Sequence, residues 1–361
     1  MVAIHQFVPS FVPNDAIGAH SRNVGRVLRE AGIDSRIYVR EAREAQPGEV
    51  EDYRAFAGGD GETWLLYQLS TGSPMARFLQ GRPEPKIIDY HNITPPSFFS
   101  AWEPVVELEL TAGRNEMEEL APATALGLAD SGFNRAELEV AGYARTGVLP
   151  ILFDPASFES EVDGRRLEGL LRAKAGGGAD LLFVGRVSPN KCQHDLVKFL
   201  AAYRLLYDPR ARLHLVGGSS SHAYWTTLEA YVKHLDLGEA VFLHGGVSPG
   251  ALAAHYRAAD AFVCLSEHEG FCVPLLEAWH HRLPVVALAA AAVPETVGGA
   301  GVLLPAKEPA RVAAAVHRVL CDPDLRGALV AAGTARLADF SLERTRTILL
   351  DHILPLLDGA G

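Results

Sequence analysis

Short apolar runs alternate along this chain with stretches whose apolar positions recur every three or four residues, the pattern of parallel strands joined by crossover helices. In the first half, runs near 2–8, 33–39, 63–68, 86–90, 124–129 and 146–149 predict strands, with helices at about 18–31, 103–121 and 133–141. The alternation then restarts. Strands are expected near 181–184, 212–216, 240–243, 260–264 and 284–287, and helices near 190–206, 223–235, 249–258 and 274–281. Pro150, Asp154 and Pro155 interrupt the pattern, and Ala175-Gly-Gly-Gly178 forms a turn before the new first strand. A last helix follows Ser341, its expected N-cap, to about Leu357.

This restart predicts an α/β protein of two Rossmann-like, doubly wound domains facing a central cleft, spanning residues 1–150 and 151–340 with a terminal helix over 341–361. The length of 361 residues suits two such domains. Open α/β sheets bind ligands beyond the carboxyl ends of their strands, so the chemistry belongs there.

Composition narrows the classes. The formal charge is −11, divided as −8 before residue 151 (13 Lys/Arg, 21 Asp/Glu) and −3 after it (20 and 23), which argues against a nucleic-acid partner. The four cysteines Cys192, Cys264, Cys272 and Cys321 form no CxxC pair, so no zinc or redox motif is expected and a reducing cytoplasm is the simplest setting. The N-terminus lacks a basic start and a cleavage site, and the apolar run 283–293 is too short to span a bilayer. The expected location is cytoplasmic, with at most a peripheral contact at the inner face of a membrane. Arg22, Arg26 and Arg29 share one face of the first helix and could meet anionic lipid or a phosphorylated acceptor, against the plainer reading of a solvated face.

Two segments carry chemistry. The strand Leu181–Val184 runs into Gly185-Arg186-Val-Ser-Pro-Asn190-Lys191 and a helix, where fixed cations, backbone N–H groups and a helix dipole would converge on a pyrophosphate. Solvated loop charge is the alternative. The second segment runs from Ser266 through Glu269, Gly270, Phe271, Cys272, Val273 and Pro274 to Glu277, at the start of another helix, whose N–H groups would again face an anion. A carboxylate at that helix end would repel phosphate, so a functional Glu277 should accept from neutral hydroxyls, those of ribose, and Glu269 should reach the sugar side. Neither G-x-G-x-x-G nor Walker A occurs, which sets aside dehydrogenases and P-loop NTPases, and Asp322-Pro-Asp324 suits helix capping better than metal binding.

The segment from Glu269 to Glu277 resembles the Glu-x7-Glu motif of the family 4 retaining glycosyltransferases of GT-B fold, and Gly185-Arg186 with Lys191 resembles that family's Arg/Lys pair. The likeness extends through Leu213–Gly218, Phe242–Gly245, Pro294–Thr296 and Gly301–Pro305. It implies a retaining hexosyltransferase using a UDP- or GDP-sugar, with no cofactor and no metal. Arg186, Lys191 and the backbone of Gly270, Phe271, Cys272 and Val273 would bind the donor diphosphate, Glu277 the ribose and Glu269 the transferred sugar. The terminal helix would cross back to the first domain. There the family's glycine turn is replaced by Asp15-Ala16, leaving Gly18 as the donor loop, while a strand end delivers His91 toward the sugar, against the plainer reading of a hydrogen-bonded structural histidine. His5, His214 and His244 read as structural. The acceptor, a glycan, lipid-linked or small molecule, is not identified, and an epimerase or a non-catalytic nucleotide-sugar binder stays open beside the transferase.

Overall fold

The computed structural model describes residues 2–12, 15–59, 61–155 and 162–358. They fall into two compact units: residues 1–97, 104–154 and 340–361 form the first, and residues 98–103 and 155–339 the second.

The first unit is built on seven parallel strands, β1 (Ala3–Phe11), β2 (Ile37–Ala42), β3 (Glu51–Asp52), β4 (Thr63–Leu69), β5 (Lys86–Tyr90), β6 (Thr124–Ala129) and β7 (Thr146–Val148), in the order β3-β2-β1-β4-β5-β6-β7. All seven residues of β4 and all five of β5 are buried, as expected of strands covered on both faces by helices. Asp15, Ser73 and Ser131 cap the helices Ala16–Glu30, Pro74–Gln80 and Gly132–Val140 through their side-chain oxygens. The strand expected at 33–39 begins later, because Asp34 meets Ala3 only as an isolated bridge before the continuous ladder starts at Ile37. The final helix, Leu342–Asp358, buries Leu349, Ile353 and Leu356 in one cluster with Ile4, Val24, Leu28, Leu66 and Leu128, so the last residues complete the core begun by the first.

The second unit repeats the plan with β8 (Asp180–Val184), β9 (Arg212–Val216), β10 (Val241–Gly245), β11 (Ala261–Cys264), β12 (Val285–Leu288) and β13 (Val302–Leu304), all parallel, in the order β10-β9-β8-β11-β12-β13. The strand order reverses between β8 and β11, which makes their carboxyl ends the switch point of this sheet. Gly217, at φ 145°, lies so close to the turn after β8 that a Cβ there would stand 2.2 Å from the Gly185 carbonyl oxygen. Backbone approach therefore fixes Gly217. Asp322 accepts from the N–H groups of Asp324 and Leu325 and caps the helix Pro323–Leu337, the capping role expected for this pair. Among the described residues no helix is long and apolar enough to cross a membrane.

Candidate functional site

Both chemistry-bearing segments lie at the switch point of the second sheet, one following β8 and the other β11. The loop after β8 is pinned by backbone bonds: Val187 N–H donates to the Gly218 carbonyl at 2.8 Å, and Gln193 Nε2 donates to the Arg186 carbonyl at 2.9 Å. Its backbone is therefore fixed while the Arg186 side chain is exposed, with no partner for the guanidinium among the described residues. The two loops are stitched together through Asn190, whose carbonyl accepts from Glu267 N–H at 2.9 Å and whose Nδ2 donates to the His268 carbonyl at 3.2 Å.

That stitching brings Lys191 against Glu269, Nζ to Oε2, at 2.5 Å, with side chains 19% and 9% exposed. Sequence spacing assigns the two residues to different parts of a ligand and gives no sign that they pair. The helix after the second loop runs Val273–His280, and no side chain caps it at Cys272, which is held at φ 75°. The amide groups at this end are thus not claimed by a cap. Glu277 lies buried one turn on, and its Oε2 accepts from the Tyr256 hydroxyl at 2.5 Å. Burial pushes the Glu277 carboxyl up to about 7, the Tyr256 bond opposing that shift. Tyr256 escapes sequence reasoning because it is an aromatic on an apolar helix face, indistinguishable there from core.

In the first unit the switch point lies between β1 and β4. Here the structure departs from the expectation for His91. Its side chain is 2% exposed, with Nδ1 on Asp130 Oδ1 at 2.9 Å and Nε2 on Gln68 Oε1. Gln68 Nε2 donates to Gln6 Oε1 at 3.0 Å, and Gln6 Nε2 donates to the Ser21 carbonyl at 2.9 Å. A carbonyl can only accept, so the direction of that chain is set and Nε2 of His91 must donate, while Nδ1 donates wherever the Asp130 carboxyl, itself raised by burial, is ionised. Burial acts to lower its pKa, yet Asp130 and Asp89 outweigh it and raise the group to about 9. Both ring nitrogens of His91 are therefore engaged by protein groups, which leaves no free donor at this strand end. Beside it His20 accepts from Leu152 N–H at Nδ1 and turns Nε2 to Asp89 at 2.8 Å.

Gly18 is also placed differently from a phosphate loop. It sits inside the first turn of its helix, its N–H donating to Asp15 Oδ1 at 2.7 Å, and a Cβ would lie 2.0 Å from the Val12 carbonyl oxygen. The carboxylate of Asp15 occupies the position an anionic ligand would take at this helix end. The basic face is likewise engaged: Arg22 meets Glu49 at 2.7 Å, Arg26 meets Asp154 at 2.9 Å, and Arg29 donates to the Ser35 carbonyl at 2.8 Å.

Residues 172–336, all in the second unit, match the family described as glycosyl transferases group 1. The D-inositol 3-phosphate glycosyltransferase of Kineococcus radiotolerans is 35% identical over 227 residues, covering 58% of this chain and 51% of that protein. The chain thus spans about half the length of the curated relatives it matches. Among solved structures, the sucrose-phosphate synthase from Thermosynechococcus elongatus has a TM-score of 0.78 at 18% identity, with 100% of both chains covered. Anabaena HepE in complex with UDP-glucose has a TM-score of 0.73 at 18% identity, covering 98% of this chain and 99% of that one. At such identity the structural likeness speaks for the fold alone, a pair of Rossmann-like parallel-sheet domains of the GT-B type.

Proposed function

We propose, from the premise that residues 172–336 form a group 1 glycosyl transferase domain, that the chain transfers a hexose from a nucleoside diphosphate sugar to an acceptor hydroxyl with retention of anomeric configuration. The observation that carries this reading is the convergence at one switch point of Arg186, whose guanidinium has no partner among the described residues, a Lys191–Glu269 pair and a buried Glu277 that accepts from Tyr256. A uridine donor is favoured over a guanosine one by the UDP-glucose of the HepE complex.

In this reading Arg186, Lys191 and the amides at Cys272 and Val273 take the diphosphate, and the backbone of Gly270 and Phe271 shapes the turn around it. Departure of the nucleotide builds negative charge on the β-phosphate, which these preorganised groups meet without a metal ion. Lys191 must then divide its contacts between phosphate and Glu269, so donor binding turns Glu269 toward the sugar. Glu277 accepts from the ribose hydroxyls through the oxygen that Tyr256 leaves open. The acceptor oxygen forms its bond to the anomeric carbon on the face the phosphate leaves, and its proton passes to that phosphate.

Retention and metal independence are tested together by proton NMR of the anomeric signal in fresh product, formed in excess EDTA. A retained coupling with undiminished turnover is expected. An inverted coupling, or activity that vanishes and returns only with magnesium or manganese, refutes the mechanism. Nucleotide release that is equal with and without acceptor would point instead to an epimerase or hydrolase.

A further inference from the structure

Away from the loops after β8 and β11, three histidines converge on the outer edge of the second sheet. His214 lies in the middle of β9, His244 near the end of the adjacent β10, and His255 on the helix Pro249–Ala258 that follows. Nδ1 of His214 stands 3.0 Å from Nε2 of His244, the His244 and His255 ring centroids are 4.3 Å apart, and one ring nitrogen from each of the three lies within 4.8 Å of the others. Two side chains buried to 7% and 2% exposure, His214 and His255, flank the half-buried His244.

The hydrogen-bond directions decide what this cluster offers. Nε2 of His214 meets Asp180 Oδ1 at 3.2 Å, and Asp180 is itself clamped by Arg212 at 2.6 and 3.0 Å. A carboxylate accepts, so the His214 proton is held on Nε2 and the Nδ1 lone pair is turned toward His244. This is the carboxylate–histidine arrangement that orients metal-ligating imidazoles. A proton shared between His214 and His244 satisfies those two rings but leaves His255. Its Nε2 is buried with no hydrogen-bond partner among the described residues, a group that costs free energy unless something coordinates it.

We propose that His214, His244 and His255 bind one divalent transition-metal ion of the imidazole-preferring class, zinc foremost, with water as fourth ligand. Zn–N bonds of about 2.0–2.1 Å place tetrahedral ligands roughly 3.4 Å apart, so the His214–His244 pair, now at 3.0 Å, opens by about 0.4 Å and no other pair, each within 4.8 Å, has to close by more than about 1.4 Å. No carboxylate belongs to the donor set, which disfavours calcium, magnesium and manganese and suits zinc, nickel and copper. Arg166 faces His244 and His255 from the helix Gly164–Lys174 and opposes the added charge, while Asp180 offsets it. The ion would tie the helix Pro249–Ala258 to β9 and β10, and it shares no residue with the proposed donor site.

Metal-stripped full-length protein titrated with zinc, and separately with cobalt(II) followed by its visible spectrum, tests the assignment. About one equivalent is expected, with cobalt d–d bands and no thiolate charge-transfer band, and zinc should raise the thermal midpoint. His244→Gln and His255→Gln should each weaken zinc binding at least tenfold while nucleoside diphosphate binding, measured alongside, stays as in the wild type. The proposal is overturned by absence of zinc uptake in the wild type or by equal uptake in the double variant. It is equally overturned by a thiolate band, which would place the ion at Cys192 or at Cys264 and Cys272.

Discussion

Arg186 and Lys191 are both assigned to the diphosphate, but the structure gives them different consequences when removed. The Arg186 guanidinium is exposed with no partner among the described residues, so Arg186→Ala should change folding stability by no more than about 0.5 kcal/mol. Its loss should be confined to the ligand: about 1.5–3 kcal/mol for a hydrogen bond to a charged group, roughly 10- to 150-fold in affinity. Lys191→Ala instead strands Glu269, whose side chain is 9% exposed and whose ion-pair partner stood at 2.5 Å. Exposed pairs contribute about 0–1 kcal/mol and breaking a buried pair costs about 3–5, so a pair buried to this degree should cost about 2 kcal/mol of stability. The abandoned carboxylate also repels phosphate, so the affinity loss should exceed that of Arg186→Ala. Glu269→Gln removes the stranded charge, and in that background Lys191→Ala should cost stability within about 0.5 kcal/mol. Urea unfolding and calorimetric titration with nucleoside diphosphate measure both quantities. Equal destabilisation by the two alanine variants would refute the reasoning. So would a Lys191→Ala penalty that persists after Glu269→Gln has neutralised the carboxylate, or unchanged diphosphate affinity in Arg186→Ala.

Glu277→Gln should weaken binding of the ribonucleotide by about 1.5–3 kcal/mol and that of its 2′,3′-dideoxy analogue far less, because only the former offers hydroxyls to the carboxylate. The difference should grow as pH rises through about 7, where Glu277 ionises; equal losses at pH 8 would exclude a ribose role. His91 is raised from 6.5 to about 9, so the stability it contributes is complete below about pH 6.5 and is lost as pH climbs through about 9. Asp130→Asn should flatten that decline in urea midpoint between pH 6.5 and 9, and a decline of unchanged slope would mean that the Asp130 contact does not hold the proton.

What the chain discloses in advance depends on whether the relevant partners are neighbours in sequence. Arg186 and Lys191 share one loop, and Glu269 and Glu277 bracket one helix start, so spacing alone brings each pair to a strand end. The strands β4, β5, β6 and β9 are equally legible, since each is a compact apolar run bounded by turn residues. Tyr256 with Glu277, and Gln6 with Gln68 and His91, meet only through sheet order, across separations of 21, 62 and 23 residues. A signal for the second group is present: glutamines in the middle of otherwise apolar strands must find buried partners. The helix Gly164–Lys174 is hard to see in advance because its leucines, Leu167, Leu170 and Leu171, are outnumbered by charged residues, and none of its residues is buried. The strand Val302–Leu304 is too short to show a period, whereas the helix Pro309–Cys321 carries a readable one, with Val312, Val316 and Val319 buried along one face. For His91 a strand-end position gives its place in advance but not its partners, Asp130 and Gln68.

The return of Leu342–Asp358 to the core that Ile4 and Leu28 begin has a consequence for the order in which the protein is made. Domains generally fold as units, the N-terminal one first, as the chain leaves the ribosome at about 5–20 residues per second. Here the first unit lacks Leu349, Ile353 and Leu356 until residues 155–339 have all been synthesised, a delay of roughly 10 to 40 s at those rates. The second unit, whose residues from 155 to 339 are contiguous apart from the segment 98–103 already made, can close before the first does. The half of the chain that is translated earliest is the half that finishes last, and its unfinished apolar face is the surface a nascent-chain chaperone would meet.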